Sequence, residues 1–233
     1  MTSKFDASKF TTGTARPLPI ILLLDCSGSM SGEKIKALNL AVRRMLNTLS
    51  KEESRISEFL VSIVTFGGDA KLLSGPTNAT ETHFSELKAG GGTPLGEALK
   101  LAKNLIEDKN RTPSRAFRPV TVLVSDGVPT DSWESILDDL IMNGRSSKSD
   151  RMAMGIGPEA YEGNGRNMLE KFISGTDHKV FEADEAEKIQ SFFKLVTMSV
   201  TTRSKSVNPN VVPKDGELEE RKPTGERQRD VFW

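Results

Sequence analysis

From Leu18 to Leu24 every residue is apolar, and the run stops at Asp25. Seven residues are too few for a buried helix, while a strand that is apolar at every position must be covered on both faces. That requirement points to a parallel sheet sandwiched between helices and rules out a strand with one wet face. It also rules out a membrane span, which needs roughly 20 apolar residues.

The rest of the chain supplies the covering layers. After Gly32, the residues Ile35, Leu38, Val42, Met45, Leu46 and Leu49 recur every three or four positions, the period of an amphipathic helix. Phe59–Phe66 is rich in β-branched residues and is followed, across Gly67-Gly68-Asp69, by Ala70–Leu73, the pattern of a hairpin. Gly90-Gly91-Gly92-Thr93-Pro94 precedes a second helix carrying Leu95, Leu99, Ala102, Leu105 and Ile106, with Pro94 suited to its first turn. Pro119–Val124 reads as another strand covered on both faces, ending in Ser125-Asp126-Gly127. A helix capped by Ser132 and stopped by Gly144 follows, then a strand at 151–156, a helix at 167–173, a strand at 179–181 and a last helix from Ala186 to about Thr201. This alternation predicts an α/β fold: a doubly wound, mostly parallel central sheet with one antiparallel edge strand and helices on both faces.

Three segments are expected: a flexible lead-in at 1–16, one domain at 17–202, and a disordered tail at 203–233. The tail mixes charges of both signs with three prolines and ends in Val231-Phe232-Trp233. Thirty-two Lys and Arg balance thirty-two Asp and Glu, so no charge excess favours nucleic acid or an anionic membrane as partner. The single cysteine, Cys26, permits no intrachain disulfide and no cysteine zinc cage. Together with a polar N-terminus lacking a secretory pattern, it suggests a cytoplasmic protein.

In doubly wound sheets, ligands bind beyond the carboxyl ends of the strands. Two of the expected strands end there on an acid, at Asp25 and Asp126. Asp25-Cys26-Ser27-Gly28-Ser29 can gather one carboxylate and two hydroxyls at a strand-to-helix junction. The triple-glycine loop can add Thr93, and Asp126 can add a second carboxylate. An all-oxygen set with few negative charges is the kind that Mg²⁺ takes, completed by waters or substrate. Such a metal stays electrophilic and can accept an incoming carboxylate.

These residues resemble the metal-ion-dependent adhesion site of the von Willebrand factor A domain family, whose pattern is Asp-x-Ser-x-Ser, then a distant Thr, then a distant Asp. Asp25, Ser27, Ser29, Thr93 and Asp126 match it in order, and the resemblance covers about residues 17–202. Within the family the chain looks most like the bacterial TerY-type proteins of tellurium resistance and stress. The stretches that carry this are Leu-Leu-Asp-Cys-Ser-Gly-Ser-Met-Ser-Gly-Glu at 23–33, Gly-Gly-Thr-Pro-Leu-Gly-Glu-Ala-Leu at 91–99, Ser-Asp-Gly-Val-Pro-Thr-Asp-Ser-Trp at 125–133 and Phe-Phe-Lys-Leu-Val at 192–196. The resemblance implies a non-enzymatic, metal-dependent binding module. It would hold Mg²⁺, or Mn²⁺ or Ca²⁺, and dock an acidic residue of a protein kinase or a PP2C-like phosphatase.

Enzymatic readings fit less well. Phosphotransferases of the haloacid-dehalogenase type want Asp-x-Asp, and Ser27 stands where their second acid would be. Gly28-Ser29-Met30-Ser31-Gly32 has Met30 where a serine hydrolase needs its nucleophile. The glycine loop lacks a Walker A ending. His83 and His178 lie in no catalytic pattern and read as surface or loop residues. A metal-dependent phosphotransferase or hydrolase using the same acids, and an adaptor for an AAA+ ATPase, remain the alternatives.

Overall fold

The structure is a computed structural model and describes residues 16–54 and 57–212. The expected lead-in at 1–15 and the tail from 213, with its Val231-Phe232-Trp233 end, lie outside the described residues.

Six strands form one sheet: β1 (Pro17–Asp25), β2 (Glu58–Gly67), β3 (Asp69–Asn78), β4 (Val120–Ser125), β5 (Asp150–Ile156) and β6 (Phe181–Ala183). Their spatial order is β3-β2-β1-β4-β5-β6, with only β3 antiparallel, at one edge. The expected fold is therefore the observed one. The hairpin is longer than its apolar residues suggested, because β3 runs on to Asn78, where the sequence pattern fades after Leu73.

Five helices cover the sheet: α1 (Glu33–Glu52), α2 (Leu95–Glu107), α3 (Glu134–Met142), α4 (Gly163–Ile173) and α5 (Ala186–Lys205). All nine residues of β1 are buried, and its side chains alternate between two cores. Leu18, Ile20, Leu22 and Leu24 meet α1 and α5, while Ile21 and Leu23 meet α2, α3 and α4. Among the described residues no helix is long and apolar enough to cross a membrane.

Three local expectations are corrected. Ser132 does not cap α3: the helix begins one residue later than such a cap would place it, after Trp133, without a side-chain cap. The neighbouring Asp131 instead accepts the Gly96 and Glu97 amides at 2.9 and 3.1 Å, capping α2. His178 is not a surface residue but is buried, with Nε2 3.0 Å from Asp150 Oδ1. Finally, α5 extends to Lys205, and Arg203, at the start of the expected tail, is fully buried.

Arg203 is held because its guanidinium has acceptors inside the fold. Nε donates to the Pro209 carbonyl at 2.9 Å and an Nη donates to the Arg118 carbonyl at 2.7 Å. The other Nη lies 3.6 Å from Asp150 Oδ2, close enough for charge attraction but too long for a hydrogen bond. Burial lowers the arginine to about 10, and Asp150 works against that fall. Removing one member of a buried ion pair typically costs about 3–5 kcal/mol, so Arg203→Ala should be as damaging as the core truncation Leu23→Ala, about 2–5 kcal/mol. Urea unfolding of both variants checks this. A loss under about 1 kcal/mol for Arg203→Ala would show that the guanidinium is not an internal tie.

Candidate functional site

The sheet order reverses at β1. From β1 the chain adds β2 and β3 on one side, then crosses to add β4, β5 and β6 on the other. The loops leaving β1 and β4 therefore turn to opposite faces and leave a crevice between them. Asp25 and Ser125-Asp126 stand at its edge.

Asp25 is fully buried, and each of its carboxylate oxygens has a donor. The Ser27 amide donates to Oδ1 at 2.8 Å, and the Ser125 hydroxyl donates to Oδ2 at 2.6 Å. From there the hydroxyls run across the crevice: Ser27 Oγ lies 3.0 Å from Ser29 Oγ, and Ser29 Oγ donates to Asp126 Oδ1 at 2.7 Å. Lys34, in the first turn of α1, places Nζ 2.6 Å from Asp126 Oδ2. Four of the five expected site residues are thus joined by short contacts.

Thr93 enters by its backbone. Its amide donates to Thr130 Oγ1 and its carbonyl accepts the Thr130 amide, both at 2.9 Å, which fixes the glycine loop to the loop after β4. The same glycine loop is laced to the β1 end: the Gly90 amide donates to the Cys26 carbonyl at 2.8 Å, and the Gly28 amide to the Gly91 carbonyl at 2.9 Å. Gly91 has φ +74°, and a Cβ there would fall 2.4 Å from Gly68 Cα. Backbone packs on backbone at this point, so no side chain fits.

Electrostatics follow from burial. Asp25 is raised above the usual carboxylate range, first by desolvation and also by the charge of Asp126, while the Ser125 and Ser27 donors pull it down. Burial pushes the Cys26 thiol up to about 12, helped by Asp25. It is a protonated core residue, not a reactive thiolate.

The candidate donors, Asp25, Ser27, Ser29, Thr93 and Asp126, offer two carboxylates and three hydroxyls, all hard oxygens. Among the described residues no group of three His, Cys, Asp or Glu is placed to hold a metal, so a cation here would depend on the hydroxyls as much as on the acids. Ser125, Lys34, Thr130 and Asp131 were not singled out as site residues from the sequence. Ser125 directly precedes Asp126 and Lys34 lies five residues after Ser29, but nothing in their spacing says where their side chains turn.

The family profile described as von Willebrand factor type A domain matches residues 20–195. Inter-alpha-trypsin inhibitor heavy chain H4 of Sus scrofa is 31% identical over 125 residues, covering 50% of this chain and 13% of that protein. The Homo sapiens H4 chain is 24% identical over 200 residues, 81% of this chain and 21% of that protein. The chain therefore spans only 13% and 21% of the length of these two relatives. Among solved structures, a von Willebrand factor type A protein from Catenulispora acidiphila superposes with TM-score 0.61 at 21% identity, covering 80% of this chain and 43% of that one. The pilus adhesin SpaC from Lactobacillus rhamnosus GG does so with TM-score 0.62 at 15% identity, covering 78% and 30%. At these identities the likeness is one of fold.

The close approach at Gly91 gives a paired test. Gly91→Ala forces a Cβ into the Gly68 backbone at a positive φ and should cost more than about 1 kcal/mol. A Cβ at Gly90 meets nothing within 4 Å, so Gly90→Ala should stay within about 0.5 kcal/mol of the parent. Thermal unfolding of the two variants reads the difference, and equal effects would mean the loops are not locked backbone to backbone.

Proposed function

Because the chain belongs to the von Willebrand factor type A domain family, we propose that it is a metal-dependent protein-binding module and not an enzyme. In this reading Asp25, Ser27, Ser29, Thr93 and Asp126 hold one divalent cation. Mg²⁺ suits the all-oxygen donors best, and Mn²⁺ or Ca²⁺ could use the same atoms.

The observation that carries the reading is the contact chain from Ser27 Oγ to Ser29 Oγ to Asp126 Oδ1, at 3.0 and 2.7 Å. Neighbouring ligands on an octahedron with bonds near ~2.1 Å are ~3.0 Å apart, so these oxygens already have the spacing of adjacent ligands. A bound cation supplies an electrophilic position that accepts a carboxylate from outside. The chain contributes the orientation: Ser125 and the Ser27 amide fix Asp25, and the Thr130 bonds fix the loop that carries Thr93. Two acids do no more than balance the cation's double charge and the other three donors are neutral, so the cation stays electrophilic enough to take an Asp or Glu of the partner as a further ligand. In this reading the loops after β1, β4 and β5 would set specificity.

Binding is favoured over turnover because Ser27 occupies the place of the second acid that a phosphotransferase would use. The finer reading, a TerY-type pairing with a protein kinase or a PP2C-like phosphatase in a cytoplasmic tellurium or stress response, rests on the motif stretches alone. It defines the partner class to test first.

Two measurements test the proposal. Mg²⁺ at one hundred times its Kd should stabilise the fold by about 2.7 kcal/mol, seen as a rise in Tm that EDTA reverses and that Asp25→Ala or the milder Ser29→Ala reduces. An acidic partner captured in Mg²⁺ should be released by EDTA and lost with Asp25→Ala. No Tm response to Mg²⁺, Mn²⁺ or Ca²⁺ would remove the metal from the mechanism. Capture indifferent to EDTA would move the docking site to another surface.

A further inference from the structure

Of the groups at the site that the five-residue pattern does not include, one carries a positive charge. Lys34 Nζ sits 2.6 Å from Asp126 Oδ2, the carboxylate whose other oxygen accepts the Ser29 hydroxyl. Among the described residues it is the only cation paired with either site acid. The Asp126 side chain is fully buried, whereas that of Lys34 is 36% exposed. The lysine also borders Gly157 at the end of β5, where a Cβ would come within 3.6 Å of Nζ. The ammonium thus sits between the end of β4 and the end of β5, beside the crevice.

The physical need is plain. Two buried carboxylates facing one crevice repel each other, and an uncompensated buried charge is expensive. A flexible four-carbon stem carrying a point charge can neutralise one of them and can also withdraw into solvent, because an ammonium has no fixed geometry to satisfy. We propose that Lys34 is the built-in counter-cation of this site: it competes with the divalent ion for Asp126 and, once displaced, adds its charge to the surface that receives the partner's carboxylate. This rests on the metal-site reading above and deepens it.

Two consequences separate this role from a merely structural one. Lys34 supports the metal-free fold, yet it opposes metal binding, so its removal should weaken the first and strengthen the second. The formal charge of the loaded site supports a part in docking as well. Two carboxylates, one ammonium and a divalent cation sum to about +1, against zero without the lysine, and an attractive surplus favours an anionic partner.

The test is isothermal titration of Mg²⁺ and of Mn²⁺ into the full chain, with Tm recorded with and without metal. Lys34→Met keeps the stem and removes the charge, Lys34→Gln is the alternative if the first folds poorly, and Lys34→Arg retains the charge. Lys34→Met or Lys34→Gln should bind metal about tenfold more tightly than the parent, as expected when a competing unit charge in direct contact is removed. The metal-free Tm should fall, and Lys34→Arg, which keeps the charge, should bind metal no more tightly than the parent. Tighter binding by the neutral variants, including the case in which only they bind measurably, supports the competition. Unchanged or weaker affinity in neutral variants, with the parent binding metal, overturns it while leaving the metal site intact. If the parent and every variant ignore both metals, the metal-site reading itself fails and takes the competition with it.

Discussion

Burial of β1 on both faces fixes the rest of the molecule. A strand with no wet side must have helices above and below and parallel neighbours on each edge. Leu22 and Leu24 anchor it into the core of α1 and α5, and Ile21 and Leu23 anchor it into the core of α2, α3 and α4. A shift of one residue would exchange these two sets of side chains between the cores, so the strand has one register. Asp25 is thereby held at the rim of the sheet, where the crossing of the chain from β2 and β3 to β4 opens a crevice. The position of the site is a consequence of the most hydrophobic segment of the chain.

What makes the crevice chemically useful is the way its acids are satisfied. Asp25 has donors from Ser27 and Ser125, and Asp126 has donors from Ser29 and Lys34. Hydroxyls are donors when no cation is near and acceptors when one is, since the proton rotates away and a lone pair faces the ion. The same atoms can therefore satisfy the carboxylates in the metal-free protein and serve as ligands. Glycines complete the arrangement by allowing the loop before α2 to pack main chain against main chain on the turn between β2 and β3, as Gly91 does on Gly68.

The fold was legible in the sequence because its signals are local and repeated. The apolar run of β1, the buried stripe of α1 at Ile35, Leu38, Val42, Met45, Leu46 and Leu49, and the stripe of α2 all lie where their periods predicted. Four of the five candidate residues meet because Asp25 ends a strand, Asp126 directly follows one, and Ser27 and Ser29 stand two and four residues beyond Asp25, while Thr93 is placed by its backbone bonds to Thr130. What escaped depends on contacts far apart in the chain. Ser125 bonds Asp25 a hundred residues away, Asp131 caps the start of α2 rather than its own helix, and His178 finds Asp150 inside the fold. Helix ends were also blurred: α5 runs past Thr201, where Arg203, polar by type, is held by the Pro209 and Arg118 carbonyls, partners that no periodicity reveals.

The two ends of the sheet solve one electrostatic problem in opposite ways. At the start of β5, Asp150 is buried beside His178 and the fully buried Arg203, whose planar guanidinium is also tied to two carbonyls. Freeing that charge would require unpacking α5 and the turn at Pro209. At the end of β4, Asp126 is equally buried, but its cation is a lysine with a flexible stem, one-third exposed and bound to nothing else among the described ion pairs. A guanidinium in a fixed fork suits a permanent tie, and an ammonium suits a contact that must come apart. Arginine at the closed end and lysine at the open end is the distribution expected if only the crevice beyond β1 and β4 exchanges its charge partner during function.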